Sequence, residues 1–172
     1  TWVIYTSDHG EMMGEHRMMA KMVFYEPAVR VPLVVRPPKG VAARVVNDPV
    51  QLMDLAATCR EIAGAEDIPE SAASSLVSTI AKNENPVSPE VIASENFGFG
   101  MFLAGQHKLV VYEDDLSPVA LFDMQNDPCE DRNLVKDPAS RHIVESMMES
   151  HVRPFLSTEP LRPHTPSVLR RR

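Results

Sequence analysis

The sequence predicts an α/β block followed by a smaller α+β block. Three patterns indicate this order. A short apolar run at residues 2–6 stops abruptly at polar residues. An amphipathic helix begins at the signal Asp48-Pro49 and ends before Gly64, and four strand-like runs precede a second amphipathic helix. The first run is apolar on both faces, which is typical of a parallel strand covered by helices on each side.

The first block is expected to span residues 1–64. A strand at 2–6 leads into a polar loop at 8–21, and a short helix at 22–29 precedes a second strand at 31–35. We expect the two strands to form a parallel-type pair, because their apolar character suits burial on both faces.

The helix that closes the first block has the clearest local signals. Asp48 can cap its N-terminus, Pro49 suits the first helical position, and Gln51 completes a capping-box pattern. Apolar residues then recur at helical spacing as far as Ile62. Gly64 supplies the C-terminal stop.

The second block is expected at residues 90–155, after a connecting region at 65–89 that is rich in small and polar residues and in proline. Its period-two runs predict an antiparallel four-stranded meander, closed by an amphipathic helix at 138–153. Residues 156–172 are rich in proline and predict a loose tail. The four predicted strands are 90–94, 100–104, 107–112 and 119–123.

The composition argues against two classes of protein. A net charge of -7 over 172 residues leaves no basic surplus to neutralise phosphates, so we expect no nucleic-acid partner. No apolar stretch reaches the roughly 20 residues that a membrane span needs. Cys59 and Cys129 form neither a C-x-x-C pair nor a metal-binding spacing, so we expect no disulfide framework.

The chain begins with Thr1, inside a predicted strand, and not with methionine. We therefore expect it to be a piece of a longer protein, with the missing N-terminal part of the same chain as its partner. A leader sequence would lie in that part, so bacterial periplasmic, secreted and cytoplasmic locations all stay open.

Three side chains with complementary chemistry lie after the first strand. Asp8 and His9 follow it directly, and Lys21 ends the loop. Ligands of open α/β sheets bind at the carboxyl ends of strands, where a carboxylate suits a hard metal ion, an imidazole suits a metal or an anion, and an ammonium neutralises an oxyanion. The alternative is a simple turn, in which Asp8 accepts backbone N–H groups and Gly10 takes a positive φ.

Longer motifs surround these residues. The segment TSDHGEMMGEH is followed by a lysine and by YEPAVRVPLVVRPP, and later segments read QLMDLAAT, HKLVVY and LFDMQNDPCEDRNL. In this order they resemble the sulfatase family of the alkaline-phosphatase superfamily. The resemblance implies the C-terminal part of an alkaline-phosphatase-like sulfatase fold, which is α/β with a small antiparallel four-stranded sheet and a closing C-terminal helix.

The resemblance also implies roles for individual residues. Asp8 and His9 are expected to bind a divalent metal, and His9 stands where many members have asparagine. Calcium is the expected ion, with manganese as the alternative because an imidazole suits a softer ion. Lys21 aligns with the lysine that holds the oxygens of the sulfate ester, and we assign catalytic roles to Lys21 and His9. His16, in the G-E-H element, is a candidate substrate contact, with loop packing as the alternative.

The family's nucleophile is a formylglycine, made from the first residue of C-x-P/A-x-R. Cys59 precedes Arg60-Glu-Ile and Cys129 precedes Glu130-Asp-Arg, so neither cysteine fits. The resemblance thus implies a sulfuric ester hydrolase for small-molecule or glycan sulfate esters, whose attacking group lies outside this chain, and we expect the chain alone to be inactive. Two alternatives stay open: a phosphonate monoester or phosphodiester hydrolase of the same superfamily, and a non-catalytic binding or structural domain.

Overall fold

The computed structural model describes residues 1–39, 41–66, 68, 71–82, 86 and 89–158. The chain divides into two compact units. One comprises Thr1–Ile92 together with Cys129–Asp131, and the other comprises Ala93–Pro128 and the chain from Arg132 onwards. Parts of the predicted connecting region and residues 159–172 of the predicted tail lie outside the described residues.

The strand pair of the first unit is antiparallel. β1 (Val3–Thr6) pairs with β4 (Leu33–Arg36), and Val3 lies opposite Arg36. The predicted parallel pairing is therefore wrong. Within this chain, burial alternates along both strands.

The loop between these strands forms a small hairpin and one helical turn. β2 (Met12–Met13) and β3 (Met19–Ala20) pair antiparallel, with a 3-10 turn at Glu15–Arg17 between them. α1 (Glu26–Val29) follows and covers the four residues that end the predicted helix at 22–29. Pro27 sits in the first turn of α1, where its missing N–H leaves no helical hydrogen bond unmade.

α2 (Leu52–Ala63) confirms the predicted helix, but it begins three residues after Pro49 and with a different cap. Gln51 is the N-cap residue, and its backbone N–H donates to the Asp54 carboxylate at 2.8 Å. The predicted cap, Asp48, is exposed and lies before the helix, because Asp54 supplies the capping carboxylate from within the first turn. The stop at Gly64 is confirmed, since this residue takes the left-handed conformation at φ 66°.

Two buried polar side chains attach the following loop to α2. The Asp54 carboxylate also accepts the N–H of Ser74 at 2.8 Å. The Thr58 hydroxyl donates to the Asp54 carbonyl oxygen at 2.6 Å and accepts the N–H of Leu76 at 2.9 Å. This loop leads directly into α3 (Val77–Lys82), so hydrogen bonds to Asp54 and Thr58 fix where that helix starts.

Asp54→Ala is expected to lower the free energy of unfolding by about 2–3 kcal/mol, because it leaves the N–H groups of Gln51 and Ser74 without their acceptor. Urea unfolding followed by circular dichroism measures this loss. Asp48→Ala is the matched control, since removing an exposed carboxylate outside the helix should change the same quantity by less than about 0.5 kcal/mol. Equal losses in the two variants would contradict the assignment of the cap to Asp54.

The second unit is built on a four-stranded sheet in the order β5-β6-β7-β8. β6 pairs antiparallel with β7, and β7 with β8, which confirms the predicted meander. Side chains from the two inner strands and from β8 form its core, including the buried Phe102, Leu109 and Leu121. The strands are β5 (Ile92–Asn96), β6 (Phe99–Ala104), β7 (His107–Tyr112) and β8 (Pro118–Asp123).

A helical segment closes this unit, as predicted. α4 (Arg141–Met147), a π-helical stretch at Met148–Val152 and α5 (Arg153–Thr158) follow one another without a break. Phe102 packs edge-to-face against Phe155, with 5.5 Å between the ring centres. None of the helices within the described ranges is long and apolar enough to cross a membrane.

Candidate functional site

The polar residues after β1 are held by their own hydrogen bonds. The Ser7 hydroxyl donates to the carbonyl oxygen of His9 at 2.7 Å, and the backbone N–H of His9 donates to Oδ1 of Asp8 at 3.1 Å. Asp8 thus accepts a backbone N–H, as the turn interpretation predicts. Its side chain is nevertheless 84% exposed, so the carboxylate is accessible to a ligand.

The hydrogen bond at one side of the His9 ring sets the chemistry of the other side. Nδ1 lies 2.7 Å from the carbonyl oxygen of Gly10, and because a carbonyl only accepts, Nδ1 carries the hydrogen. The neutral ring then presents its lone pair at Nε2, which lies 3.4 Å from Oδ2 of Asp8. An imidazole nitrogen and a carboxylate oxygen at this separation can bind the same ion.

Lys21 reaches the same place from the end of the β2–β3 hairpin. Its ammonium group donates a hydrogen bond to Nε2 of His9. It also lies close enough to Asp8 for its charge to lower the pKa of that carboxyl group. The structure therefore brings Asp8, His9 and Lys21 together, although Lys21 is separated from the other two by the whole hairpin.

Opposing effects set the pKa of Asp8. Burial raises the pKa, whereas the electrostatic interaction with His9, the backbone N–H groups of Asp8 and His9, and the charge of Lys21 lower it. The net result is a pKa below the ordinary value of 3.8. Asp8 is therefore ionised at neutral pH, as a metal ligand must be.

Gly10 allows this loop to lie directly on α1. A Cβ atom at position 10 would come within 1.9 Å of the Pro27 carbonyl oxygen. The close approach is made by backbone hydrogen bonds from Gly10 to Ala28 at 2.8 Å and from Glu11 to Pro27 at 2.9 Å. Glycine is thus needed here because the backbones touch, and not because of the positive φ that the turn interpretation expects.

The contacts of His16 are with Tyr25 and Cys129, and not with Asp8 or Lys21. Its ring stacks on Tyr25, with 4.0 Å between the ring centres and 13° between the planes. Its Nε2 lies 2.9 Å from the carbonyl oxygen of Cys129, to which it donates. These contacts favour the loop-packing role, and a substrate contact by His16 stays a prediction.

Asp8 and His9 supply two possible metal donors, which are too few to make a metal site by themselves. The described part of the chain holds no group of three or more His, Cys, Asp or Glu side chains that could bind an ion. Calcium takes about six to eight oxygen ligands, so two donors cannot hold it alone. The ionised carboxylate and the lone pair at Nε2 fit a divalent ion only if further ligands come from outside the described residues.

Glu130 has no role that its sequence motif indicates, and its side chain is only 2% exposed. Its Oε2 accepts the backbone N–H of Glu26, the first residue of α1, at 2.6 Å. Burial raises the pKa of the nearby Tyr25 phenol, and the Glu130 charge raises it further. Glu130 lies in the segment LFDMQNDPCEDRNL, but that segment does not indicate its partner, because Glu26 lies 104 positions away.

A sequence model of the family described as "N-sulphoglucosamine sulphohydrolase, C-terminal" matches residues 14–154. Among curated proteins, arylsulfatase K of Mus musculus is 37% identical over 166 residues, which cover 88% of this chain and 30% of that protein. The chain spans about 30% of the length of the curated relatives it matches.

Solved structures with the same fold include enzymes of two kinds. BT1596, a 2-O GAG sulfatase, superposes with a TM-score of 0.75 at 26% identity, over 91% of this chain and 37% of that one. The phosphonate monoester hydrolase SpPMH of Silicibacter pomeroyi superposes with a TM-score of 0.78 at 24% identity, over 92% of this chain and 35% of that one. The second likeness extends to the fold alone.

Proposed function

The chain belongs to the sulfatase family, and from that premise we propose that it supplies the C-terminal part of an enzyme that hydrolyses sulfate esters. Asp8, His9 and Lys21 form one wall of the active site. The attacking group and the remaining metal ligands lie in another part of the full-length polypeptide. That part corresponds to the roughly 70% of the relatives that this chain does not match.

The convergence of Asp8, His9 and Lys21 carries the proposal. A sulfate ester has a negative charge spread over its non-bridging oxygens, and an ammonium group near them stabilises the charge that develops as the ester bond breaks. Lys21 is exposed and can turn towards such an anion. A lysine suits this role because its ammonium is a compact point charge on a flexible stem.

A divalent ion held by Asp8 and His9 would act as a Lewis acid towards a sulfuryl oxygen. Calcium is the proposed ion, with manganese as the alternative. Nε2 of His9 has a single lone pair, which Lys21 occupies in this structure. If Nε2 of His9 coordinates an ion instead, the Lys21 ammonium loses this hydrogen-bond partner. It can then contact the sulfate group of the substrate.

The substrate class is proposed to be a sulfate ester on a sugar or another small alcohol. The matched family is named for a sulphohydrolase of N-sulphoglucosamine, a sugar sulfated on nitrogen, and BT1596 is a 2-O GAG sulfatase, so both names support a sulfated sugar as the substrate.

Turnover of two ester classes tests the proposal in the full-length polypeptide that carries this chain. We expect 4-nitrophenyl sulfate to be hydrolysed with a kcat/KM at least about tenfold above that of 4-nitrophenyl phenylphosphonate, because one tenfold preference needs only about 1.4 kcal/mol in the transition state. The 172 residues alone should hydrolyse neither ester.

The reverse preference would favour a phosphonate monoester hydrolase, whose fold SpPMH shares with this chain. Hydrolysis of neither ester by the metal-loaded full-length protein would favour a binding or structural role. Turnover by the chain alone would contradict the proposal that the attacking group lies elsewhere.

A further inference from the structure

Lys21 lies in a stretch of chain that is attached at both ends to one short segment, Cys129–Asp131. On one side of Lys21, His16 donates to the carbonyl oxygen of Cys129 at 2.9 Å. On the other side, the N–H of Glu26 donates to the Glu130 carboxylate at 2.6 Å. Lys21 sits midway between these attachment points.

The segment Cys129–Asp131 belongs to a different compact unit from the residues before and after it in the sequence. Residues 93–128 and those from 132 onwards belong to the other compact unit, whereas Cys129–Asp131 belong to the unit that contains Lys21. Glu130 itself takes φ 59°, a left-handed conformation that costs a non-glycine residue roughly 1–2 kcal/mol. Such a conformation persists only where surrounding contacts hold it.

The stretch that carries Lys21 is also held in an unfavourable backbone conformation. His16, Arg17 and Ala20 have φ values of 51°, 60° and 73°. Each of these residues adds roughly 1 kcal/mol or more of strain, so the loop would relax without contacts that oppose it. The stacking of His16 on Tyr25 and the bonds to Cys129–Asp131 are contacts of that kind.

We propose that Glu130 is a positioning residue for Lys21: its buried carboxylate fixes the backbone at Glu26 and so holds the loop that presents the Lys21 ammonium to the active site. This inference rests on the proposed function for its catalytic consequence. Its structural part, that Glu130 orders residues 14–26, stands on the contacts alone.

The hydrogen bond that Glu130 accepts should survive in Glu130→Gln and be lost in Glu130→Ala. Its role needs a hydrogen-bond acceptor at Oε2, and a glutamine side chain keeps a carbonyl oxygen of the same reach. Alanine removes this acceptor for the N–H of Glu26. Glu130→Gln should therefore preserve most of the positioning, and Glu130→Ala should lose it.

Kinetics and hydrogen exchange of the full-length protein test the inference. In Glu130→Ala we expect kcat for 4-nitrophenyl sulfate to fall by about 10- to 100-fold, the loss typical of a misplaced catalytic group. Glu130→Gln should restore kcat to within about threefold of the wild type, because it keeps the acceptor. Backbone amides of residues 14–26 should exchange faster in Glu130→Ala than in Glu130→Gln. Glu61→Ala, which removes an exposed carboxylate on α2, is the control and should change neither quantity.

A double-mutant cycle with Lys21→Ala separates positioning from general stability. If Glu130 acts through Lys21, Glu130→Ala should cause almost no further loss of kcat in the Lys21→Ala background. Multiplied losses, or an unchanged exchange rate over residues 14–26, would overturn the inference. A wild-type protein without sulfatase activity would overturn the proposed function and the kinetic part, while exchange would still decide whether Glu130 orders the loop.

Discussion

Lys21→Ala is expected to lower kcat for aryl sulfate hydrolysis by the full-length protein about 10²- to 10³-fold, which is the loss typical of removing one preorganised group that stabilises developing charge. Lys21 converges with Asp8 and His9 at the end of β1, so its ammonium lies beside both proposed ligands of the ion. The effect should appear in kcat more than in KM, because charge on the sulfuryl group and leaving oxygen grows towards the transition state.

Two matched variants give this prediction its controls. Lys39→Ala removes an exposed lysine that lies beyond β4, and it should leave kcat unchanged within about twofold, as exposed substitutions away from a site generally do. Lys21→Arg keeps the charge but changes its shape and reach, so it should recover only part of the activity. A loss of less than fivefold in Lys21→Ala would remove Lys21 from the catalytic residues.

Asp8→Ala is expected to abolish tight binding of the divalent ion and to lower kcat at limiting metal by at least about 100-fold. Asp8 supplies the anionic oxygen of the two donors that the chain contributes, and removing such a charge weakens binding of a hard cation more than removing a neutral ligand does. Metal content after gel filtration, measured by plasma mass spectrometry, should fall from about one ion per chain to below about 0.1, because a lost ligand commonly lowers affinity at least 10- to 100-fold.

Measuring kcat of Asp8→Ala in excess metal should show whether the variant has lost a metal ligand or has a damaged fold. In Asp8→Ala, millimolar calcium or manganese should restore part of kcat, since the remaining ligands still bind the ion weakly. Glu11→Ala removes an exposed carboxylate in the same loop and should keep the full metal content. Full metal content in Asp8→Ala would show that the ion is bound elsewhere.

Local patterns predicted the elements of this chain better than their pairing. The amphipathic helix α2, the four strands of the second unit and the closing helix follow from periodicity and end signals, which are properties of neighbouring residues. The direction of β4 relative to β1 depends on the path of the hairpin between them. An apolar run carries no information about that path, which is why the parallel pairing was wrong.

The candidate site divides in the same way. Asp8, His9 and Lys21 belong to motifs that can be read from the sequence, and the structure brings them together. Glu130 and Lys108 are charged side chains with almost no exposed surface. Both lie in segments that resemble the family, but a charged residue type by itself predicts an exposed position. Only the tertiary structure identifies the carboxylate of Glu130 as an acceptor for the backbone of α1.

The most direct test is a crystal structure of the full-length protein with its metal and with sulfate, using anomalous scattering to locate the ion. We expect the ion within about 2.0–2.6 Å of a carboxylate oxygen of Asp8 and of Nε2 of His9, the usual range for such ligands. The Lys21 ammonium should contact the bound sulfate. An ion bound away from Asp8, with Lys21 pointing into solvent, would contradict the proposal that these three residues form one wall of a sulfate ester site.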